Sequence, residues 1–249
     1  MLQLEQWLAG RDFALDDPTA AQMINFVYLI ADDATRTAVL VDPAWDVDGL
    51  VARVAREGYT LVGALATHYH PDHVGGDLWG LQVDGIARLA AIAPDARVHA
   101  HADDAPWIER VTGVPARDLV LHGGGDTLSL GAVGVEFVHT PGHTPGSTCF
   151  LVRDPTTPSG QPGSVDSPAL VAGDTLFVQG CGRVDLPGSD PDEMYRTLTQ
   201  RLARLSPTTV LFPGHDYGPA PTSTLERERA TSPCLQLDSL EAWRRVMGR

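Results

Sequence analysis

The chain has 249 residues, 43% of them hydrophobic, and a formal net charge of −14 at pH 7. Because single domains commonly reach this size, we expect residues 1–249 to form one domain with a sizeable core. The acidic balance argues against a nucleic-acid partner, since phosphate binding needs a basic surface, and the sequence lacks an apolar run of the roughly 18 residues that a membrane span requires.

The first part of the chain predicts alternating strands and a helix. Apolar runs at residues 26–30 and 37–41 flank a short polar segment, which predicts a pair of strands. Residues 47–57 carry apolar side chains at helical spacing, and Gly58 ends that pattern, so we expect a helix here. The apolar run at residues 61–66 predicts another strand, which completes a β-α-β unit.

A dense group of ionisable side chains follows this strand directly. The segment HYHPDH contributes His68, His70, Asp72 and His73. Residues two apart on an extended segment point to the same side, so His68 and His70 can bind one ion. The proline turn then directs Asp72 and His73 toward a second ion. Imidazoles with a carboxylate and without cysteine suit zinc, iron or manganese.

The remaining elements are predicted in the same way, from apolar periodicity and turn residues. We expect a loop and helix opening at residues 74–76, a strand at 97–101, a helix at 102–111, a hairpin at 128–138, a strand at 147–152 and helices at 190–205, 225–230 and 240–247. Residues 154–168 are rich in Pro, Ser, Gly and Thr and lack periodicity, which predicts a surface loop.

Three further candidate ligands each follow an apolar run and a glycine turn. His143 lies in the segment HTPGHTPG, Asp174 follows ALVAG, and His215 follows TVLFPG. Glycine permits the positive φ that tight turns require, and side chains at strand ends can converge on one rim from distant parts of the chain. Asp42 also ends a predicted strand, where it either orients a ligand histidine through the second ring nitrogen or caps the strand.

The other four histidines are predicted to have structural or surface roles. His99 and His101 have the spacing of a ligand pair, but they lack a neighbouring carboxylate motif. His139 lies just before the Pro141-Gly142 turn, where it either supports a ligand or has a structural role, and His122 lies outside every candidate motif.

The HxHxDH segment and its three followers resemble the metallo-β-lactamase superfamily, and the resemblance extends from about Phe26 to the C-terminus. It implies an α/β fold of the αββα sandwich type. It also implies two adjacent metal sites, which Asp174 would bridge. Carried over by position, the ligands are His68, His70 and His143 for the first site and Asp72, His73 and His215 for the second.

The resemblance implies a hydrolase that holds two divalent metal ions, with zinc favoured and iron or manganese as alternatives. Paired ions share a bridging water, lower its pKa and stabilise the attacking and departing atoms of a hydrolysis. We expect Asp72 and Asp174 to be the catalytic carboxylates. Because a thiolate leaves readily near neutral pH, a thioester is the favoured substrate, with a lactone or another ester as a further alternative.

A second motif resembles two branches of the superfamily. The segment GDTLFVQGCGR at residues 173–183 resembles that of the glyoxalase II hydrolases and of the persulfide dioxygenases, in which the basic residue after Gly-Cys-Gly contacts a glutathione carboxylate. This implies a substrate contact for Arg183. Tyr217 is a second candidate for substrate contact, with a turn role as its alternative.

The main hypothesis is therefore a glyoxalase II-like thioester hydrolase, and the alternative is a mononuclear iron persulfide dioxygenase. In the alternative, His68, His143 and Asp174 would bind a single ferrous ion with open positions for oxygen. We expect a small acyl-thiol substrate, with glutathione as one candidate thiol, and the sequence leaves a homo-oligomer open.

Cysteine usage and the N-terminus indicate the compartment. Cys149, Cys181 and Cys234 are widely spaced and form no CxxC pair, which favours a reducing environment over a disulfide framework. The N-terminus has no basic segment followed by a long apolar one, so it does not resemble a secretory signal. We therefore expect a cytoplasmic protein.

Overall fold

The structure is a computed structural model that describes residues 1–247. The strands are β1 (Leu2–Leu8), β2 (Phe26–Asp32), β3 (Thr37–Val41), β4 (Thr60–Leu65), β5 (Gly76–Leu78), β6 (Leu81–Val83), β7 (Arg97–His101), β8 (Val120–His122), β9 (Thr127–Leu130), β10 (Val133–His139), β11 (Thr148–Arg153), β12 (Ala169–Val171), β13 (Leu176–Phe177), β14 (Gly180–Cys181), β15 (Val210–Phe212) and β16 (Ser223–Thr224). The α-helices are α1 (Pro18–Met23), α2 (Val47–Arg56), α3 (Pro71–Val74), α4 (Ile86–Ile92), α5 (Ala105–Thr112), α6 (Pro191–Arg196), α7 (Leu225–Thr231) and α8 (Leu240–Met247).

Two six-stranded sheets lie at the centre of the molecule. The first has the order β1-β2-β3-β4-β7-β8, in which β3, β4, β7 and β8 pair in parallel. The second has the order β16-β15-β12-β11-β10-β9 and is antiparallel except for the parallel pair β12 and β15. The connection β3-α2-β4 is the β-α-β unit that the apolar periodicity predicts.

Side-chain alternation along β2 explains why both faces of the first sheet are covered. Phe26, Tyr28 and Ile30 point toward the second sheet and form the core between the sheets. Val27 and Leu29 point the other way and pack with residues of α1 and α2. All five side chains are buried, which a two-sided strand requires.

The second sheet repeats this arrangement on β11. Phe150 and Val152 join the core between the sheets, while Leu151 packs outward against Met194 of α6 and Trp243 of α8. Helices therefore cover the outer face of each sheet, and the architecture is the αββα sandwich that the resemblance implied. Within the described part of the chain, every helix is too short or too polar to cross a membrane.

Two regions differ from the sequence predictions. The N-terminal residues, which carried no strand prediction, form β1 and pair with β2 from Leu2 opposite Asp32 to Leu8 opposite Phe26. After α3, where a loop and helix were expected to open, the antiparallel hairpin β5–β6 comes first and α4 follows it. Both strands of this hairpin are only three residues long, so they are too short for a period-two pattern to reveal them.

The helix predicted at residues 190–205 is regular only over α6. It continues as a wider π-type turn at Thr197–Arg201 and a 3-10 turn at Leu202–Arg204. The Thr199 hydroxyl donates to the carbonyl of Tyr195 at 2.6 Å, and hydroxyls that bond back onto the preceding turn distort a helix.

Candidate metal centre

Strand ends bring the candidate ligands to one edge of the two sheets. His68 follows β4, and the one-turn helix α3 carries the second half of the HxHxDH segment. His143 lies in the turn between β10 and β11. Asp174 and His215 follow β12 and β15, whose parallel pairing brings residues from distant parts of the chain side by side. The structure thus brings together all six residues of the two predicted sets and the bridging Asp174.

Two glycines allow the turns around Asp174 to approach this closely. Gly173 has a φ of +48°, and a Cβ there would lie 2.5 Å from the Thr67 hydroxyl oxygen. A Cβ at Gly214 would lie 2.6 Å from Asp174 Oδ1. Side chains at either position would therefore push the candidate ligands apart.

The first set consists of three histidines. His143 Nε2 lies 2.9 Å from His70 Nδ1. The rings of His68 and His143 have centroids 4.8 Å apart and are inclined by 73°. The candidate ligand atoms of all three residues lie within 4.8 Å of one another. Rings inclined in this way can direct nitrogen lone pairs to one point, as a metal ion requires.

The second set lies beside the first and combines a carboxylate with two histidines. His73 Nε2 lies 3.2 Å from His215 Nε2. Asp72 Oδ2 lies 3.4 Å from each of these two nitrogens. The Asn25 amide donates to the same Asp72 oxygen at 3.0 Å, and this bond holds the carboxylate in place.

Asp174 lies between the two sets and directs one oxygen at each. Its Oδ2 is 3.5 Å from His143 Nε2 in the first set. Its Oδ1 is 3.3 Å from His73 Nε2 and 3.4 Å from His215 Nε2 in the second. Both His68 Nε2 and Asp174 Oδ1 are buried without a hydrogen-bond partner. Buried polar atoms are normally paired, so these two atoms fit a metal ion as their missing partner.

The protein fixes the tautomer of four of the five histidines from the outer side. The Nδ1 donors bond as follows: His68 to Thr67 Oγ1 at 3.0 Å, His73 to Asp42 Oδ2 at 2.9 Å, His143 to the Arg183 carbonyl at 2.7 Å and His215 to the Met23 carbonyl at 2.7 Å. Carbonyl and carboxylate oxygens only accept, so each Nδ1 facing one carries the proton. The Nε2 lone pairs therefore face the centre, which is the arrangement of metal-bound histidines.

Asp42 links two of these histidines. It accepts a hydrogen bond from the Thr67 hydroxyl at 2.6 Å, which commits that hydroxyl's only hydrogen and leaves it to accept from His68 Nδ1. The other bond of the same carboxylate oxygen comes from His73 Nδ1. Of the two roles that the sequence left open for Asp42, the structure places it where it orients ligand histidines.

Burial and neighbouring charges shift the pKa values of the residues in the centre in different directions. Burial lowers the pKa of His70 to about 3 and also lowers the pKa of His143. Burial acts in the same direction on His215, but Asp174 and Asp72 outweigh it and raise the pKa of His215 to about 9. Burial likewise opposes ionisation of both carboxyl groups, yet the neighbouring histidines hold their pKa well below the usual value. The first set therefore presents neutral imidazoles, Asp72 and Asp174 present ionised carboxylates, and both are donors that a divalent cation binds.

A cavity of about 610 Å³ opens in front of the two sets. Tyr217 lines it and stacks on the ligand candidate His215, with ring centroids 4.5 Å apart and planes 6° apart. Arg183 also lines it, but its guanidinium pairs with Asp185 at 2.9 and 3.0 Å. Tyr69 is buried, and its hydroxyl donates to the carbonyl of Pro187 at 2.5 Å. Aromatic rings thus form much of the wall next to the metal centre.

A match to a known family covers all of these residues. The sequence model of the metallo-beta-lactamase superfamily matches residues 22–215, a span that includes both candidate ligand sets and Asp174. The chain belongs to the metallo-β-lactamase superfamily. Its sandwich fold and its histidine-rich metal centre are therefore those of a shared enzyme family.

Several superfamily members are similar to the chain over most of its length. Human persulfide dioxygenase ETHE1, mitochondrial, is 31% identical over 225 residues, which are 90% of this chain and 76% of the human protein. The probable polyketide biosynthesis zinc-dependent hydrolase PksB of Bacillus subtilis is 26% identical over 217 residues, 87% of this chain and 84% of that protein. The crystal structure of ETHE1 from Myxococcus xanthus matches with a TM-score of 0.76 at 26% identity, over 99% of this chain and 90% of that one.

Two side chains and two backbone carbonyls that hold ligand candidates escaped the sequence analysis. Asn25 and Thr67 hold Asp72 and His68, and the backbone carbonyls of Met23 and Arg183 hold two further histidines. Thr67 is adjacent to the HxHxDH segment and was a detectable candidate. A backbone carbonyl has no sequence signal, because every residue has one.

Proposed function

We propose that the chain is a metal-dependent dioxygenase that oxidises the outer sulfur of a small-molecule persulfide. The similarity to persulfide dioxygenases of two organisms, over most of this chain, is the observation that supports this function best. It favours the dioxygenase alternative over the glyoxalase II-like thioester hydrolase that was the main hypothesis from the sequence.

The donor set in front of the cavity fits this chemistry. His68, His143 and Asp174 are the two histidines and one carboxylate that oxygen-activating ferrous sites use. A bound ferrous ion supplies electron transfer to dioxygen, which zinc, having no accessible redox state, does not. Thr67 and the Arg183 carbonyl hold the two rings, and Asp174 is buried with its Oδ2 facing His143.

The overall reaction is a four-electron oxidation. A persulfide, dioxygen and water give a thiol, sulfite and two protons; the outer sulfur is oxidised and dioxygen is reduced. The S–S bond breaks, and the inner sulfur leaves as the thiol. We propose that Tyr217 and Arg183, which line the cavity beside His143 and His215, contact the substrate.

A hydrolase is the second candidate, and one feature favours it. Asp72, His73 and His215 form a complete second donor set around Asp174 Oδ1, which a mononuclear enzyme does not need. Two ions in these sets would supply the bridging nucleophile of a thioester hydrolysis. Asp174 would then hold both ions through its two oxygens.

Metal reconstitution separates the two candidates. Iron-loaded and zinc-loaded protein should be assayed in parallel for oxygen uptake and sulfite formation with glutathione persulfide and benzyl persulfide, and for thioester hydrolysis with lactoylglutathione. We expect the iron form to consume oxygen and release sulfite, and the zinc form to do neither. Thioester hydrolysis by the zinc form, without oxygen uptake by the iron form, would reverse the assignment.

An Asp72→Ala variant distinguishes the dioxygenase from the hydrolase by changing the protein instead of the metal. Because Asp72 belongs only to the second set, a mononuclear dioxygenase should keep one bound metal and its oxygen uptake within about tenfold of wild type. Asp95→Ala is the matched control, since Asp95 is an exposed carboxylate outside both sets and outside the cavity lining. Loss of sulfite formation in Asp72→Ala alone would indicate that the second set takes part in the oxidation.

A further inference from the structure

The hairpin β5–β6 turns through two residues, Trp79 and Gly80, between the paired residues Leu78 and Leu81. Both turn residues have positive φ, 55° for Trp79 and 89° for Gly80. Positive φ at both central positions is the type I′ turn, in which the first position strongly prefers Asn, Asp or Gly. A bulky side chain there is an outlier that costs free energy.

Packing does not explain the tryptophan either. Trp79 is 83% exposed, whereas Trp7, Trp45 and Trp243 are buried. An exposed indole leaves a large apolar surface in water and contributes little to the core. Neither the turn conformation nor packing in the core accounts for a tryptophan at this position. Contact with a ligand explains it best.

The position of the turn indicates which ligand. Trp79 lines the cavity in front of the metal centre, together with the candidate ligands His70 and His143. Other parts of the lining are apolar, among them Leu78, Phe177 and Leu186. An indole on the rim of an apolar cavity can cover an apolar group whose other end reaches the metal.

The charges around the cavity disfavour a carboxylate-bearing group. Among the lining residues that the structure describes, Arg183 is the one arginine, and Asp185 already neutralises it through two hydrogen bonds. Asp77, beside the turn, adds a negative charge to the same rim. A glutathione moiety would bring carboxylates to a wall whose one described arginine is already paired.

We propose that Trp79 is a specificity-determining residue that covers the apolar substituent of the thiol-linked substrate, so that the enzyme selects apolar or aromatic persulfides over glutathione persulfide. This rests on the proposed function for the persulfide group, while the preference for an apolar substituent is a property of the cavity alone. The indole stacks over the substituent and excludes water from it, which offsets the strain of the turn.

Binding of unreactive thioethers tests the preference without turnover. Metal-loaded protein is titrated calorimetrically with benzyl methyl sulfide and with S-methylglutathione, which have no S–S bond to exchange with protein thiols. We expect benzyl methyl sulfide to bind at least tenfold more tightly and to change the tryptophan fluorescence. Equal or tighter binding of S-methylglutathione would overturn the proposal.

Turn variants assign the effect to the indole. Trp79→Asn should bind benzyl methyl sulfide about tenfold more weakly and lose the fluorescence response, with an unchanged or higher Tm because Asn suits a type I′ turn. Trp79→Phe, which keeps an aromatic cover, should bind within about threefold of wild type. Leu81→Asn is the control, because Leu81 belongs to the same hairpin but lies outside the cavity lining. Wild-type affinity in Trp79→Asn would refute a substrate contact for Trp79.

Different results would contradict the proposed dioxygenase function and the proposed role of Trp79. A protein that prefers benzyl methyl sulfide but forms no sulfite from any persulfide contradicts the dioxygenase function and keeps the role of Trp79. A protein that oxidises glutathione persulfide at least as efficiently as benzyl persulfide keeps the function and contradicts the role of Trp79.

Discussion

The molecule contains two groups of histidines, which differ in the inclination of their rings and in the hydrogen-bond partners of their nitrogens. The metal centre holds five of the nine histidines, and a second histidine cluster, defined as His99, His101, His122 and His139, holds the other four. In the metal centre, ring planes within the first set are inclined by 73° to 89°. In the second histidine cluster, His101 and His139 stack with planes only 13° apart. Together with Asp103, these two histidines still bring three candidate ligand atoms within 4.8 Å of one another, but their rings are stacked rather than inclined.

Hydrogen bonds reinforce this difference. In the second histidine cluster, His99 Nδ1 and His122 Nε2 pair at 2.9 Å, and His139 Nε2 donates to the Pro145 carbonyl at 2.9 Å. His101 Nδ1 accepts a hydrogen bond from the backbone N–H of Asp103 at 3.2 Å. The carboxylate of Asp103 also lies close to His101, and the sequence analysis did not recognise this neighbour. Nitrogens that the protein already satisfies have no lone pair to spare. Closeness of histidines is therefore insufficient for a metal site; free, convergent nitrogens are required.

The largest effect should come from removing the carboxylate shared by the two donor sets. Asp174→Asn replaces one of two negative charges among the candidate ligands, so metal affinity and kcat should both fall by more than about 100-fold, the upper range for residues that merely support ligands. The apolar strand β12 before it should still fold. Metal content, thermal unfolding and kcat are measured together; a folded variant with wild-type metal content and kcat would exclude Asp174 as a ligand.

A smaller effect should follow from loosening a ligand without removing it. Asp42→Asn keeps the size of the side chain but weakens its bonds to His73 and Thr67, so metal affinity should fall about 10-fold to 100-fold. Competition with a chelator measures the change in affinity. Asp33→Asn, an exposed carboxylate near the same sheet, is the control. Equal chelator sensitivity in all three proteins would mean that Asp42 only caps the strand.

The stability of the protein at acid pH should depend on His99, a member of the second histidine cluster. Burial, assisted by His122 and Arg97, lowers the pKa of His99 to about 4, whereas an unfolded histidine has a pKa of about 6.5. Between these values the unfolded chain binds a proton that the folded chain excludes, so this residue lowers stability as the pH falls from 6.5 toward 4. Unfolding of wild type in this window should take up as much as about one proton more than unfolding of His99→Leu. Identical pH slopes for the two proteins would contradict the shift.

The smallest effect on metal binding is expected for a substitution in the second histidine cluster. His101→Gln removes one of the stacked rings, yet metal content after reconstitution should stay that of wild type, since the protein already engages His101 Nδ1 as an acceptor and His139 Nε2 as a donor. Elemental analysis measures the stoichiometry, with His68→Gln as the variant that should lose metal. The loss of one full equivalent in His101→Gln would show that the second histidine cluster binds an ion after all.

The sequence alone determined the ligand segment and much of the layered architecture. HYHPDH, the glycine turns before Asp174 and His215, and the apolar runs of β2, β3 and β4 are local patterns, and local spacing carries their meaning. The superfamily and the αββα sandwich followed from the family resemblance that the ligand motifs carry. The short hairpin β5–β6 and the strand β1 did not, because their pairing depends on what they meet rather than on their own periodicity.

Only the tertiary structure decided which histidines come together with Asp174 and which aromatic side chain lies at the cavity rim. By spacing, His99 and His101 resemble His68 and His70, yet distant partners such as Asp42 and the carbonyl of Met23 separate the two groups. The position of Trp79 also depends on the tertiary structure, because the turn of the hairpin β5–β6 places it at the cavity in front of the metal centre. Hydrogen-bond partners and ring inclination are set by residues far apart in the chain, so the local sequence does not contain them.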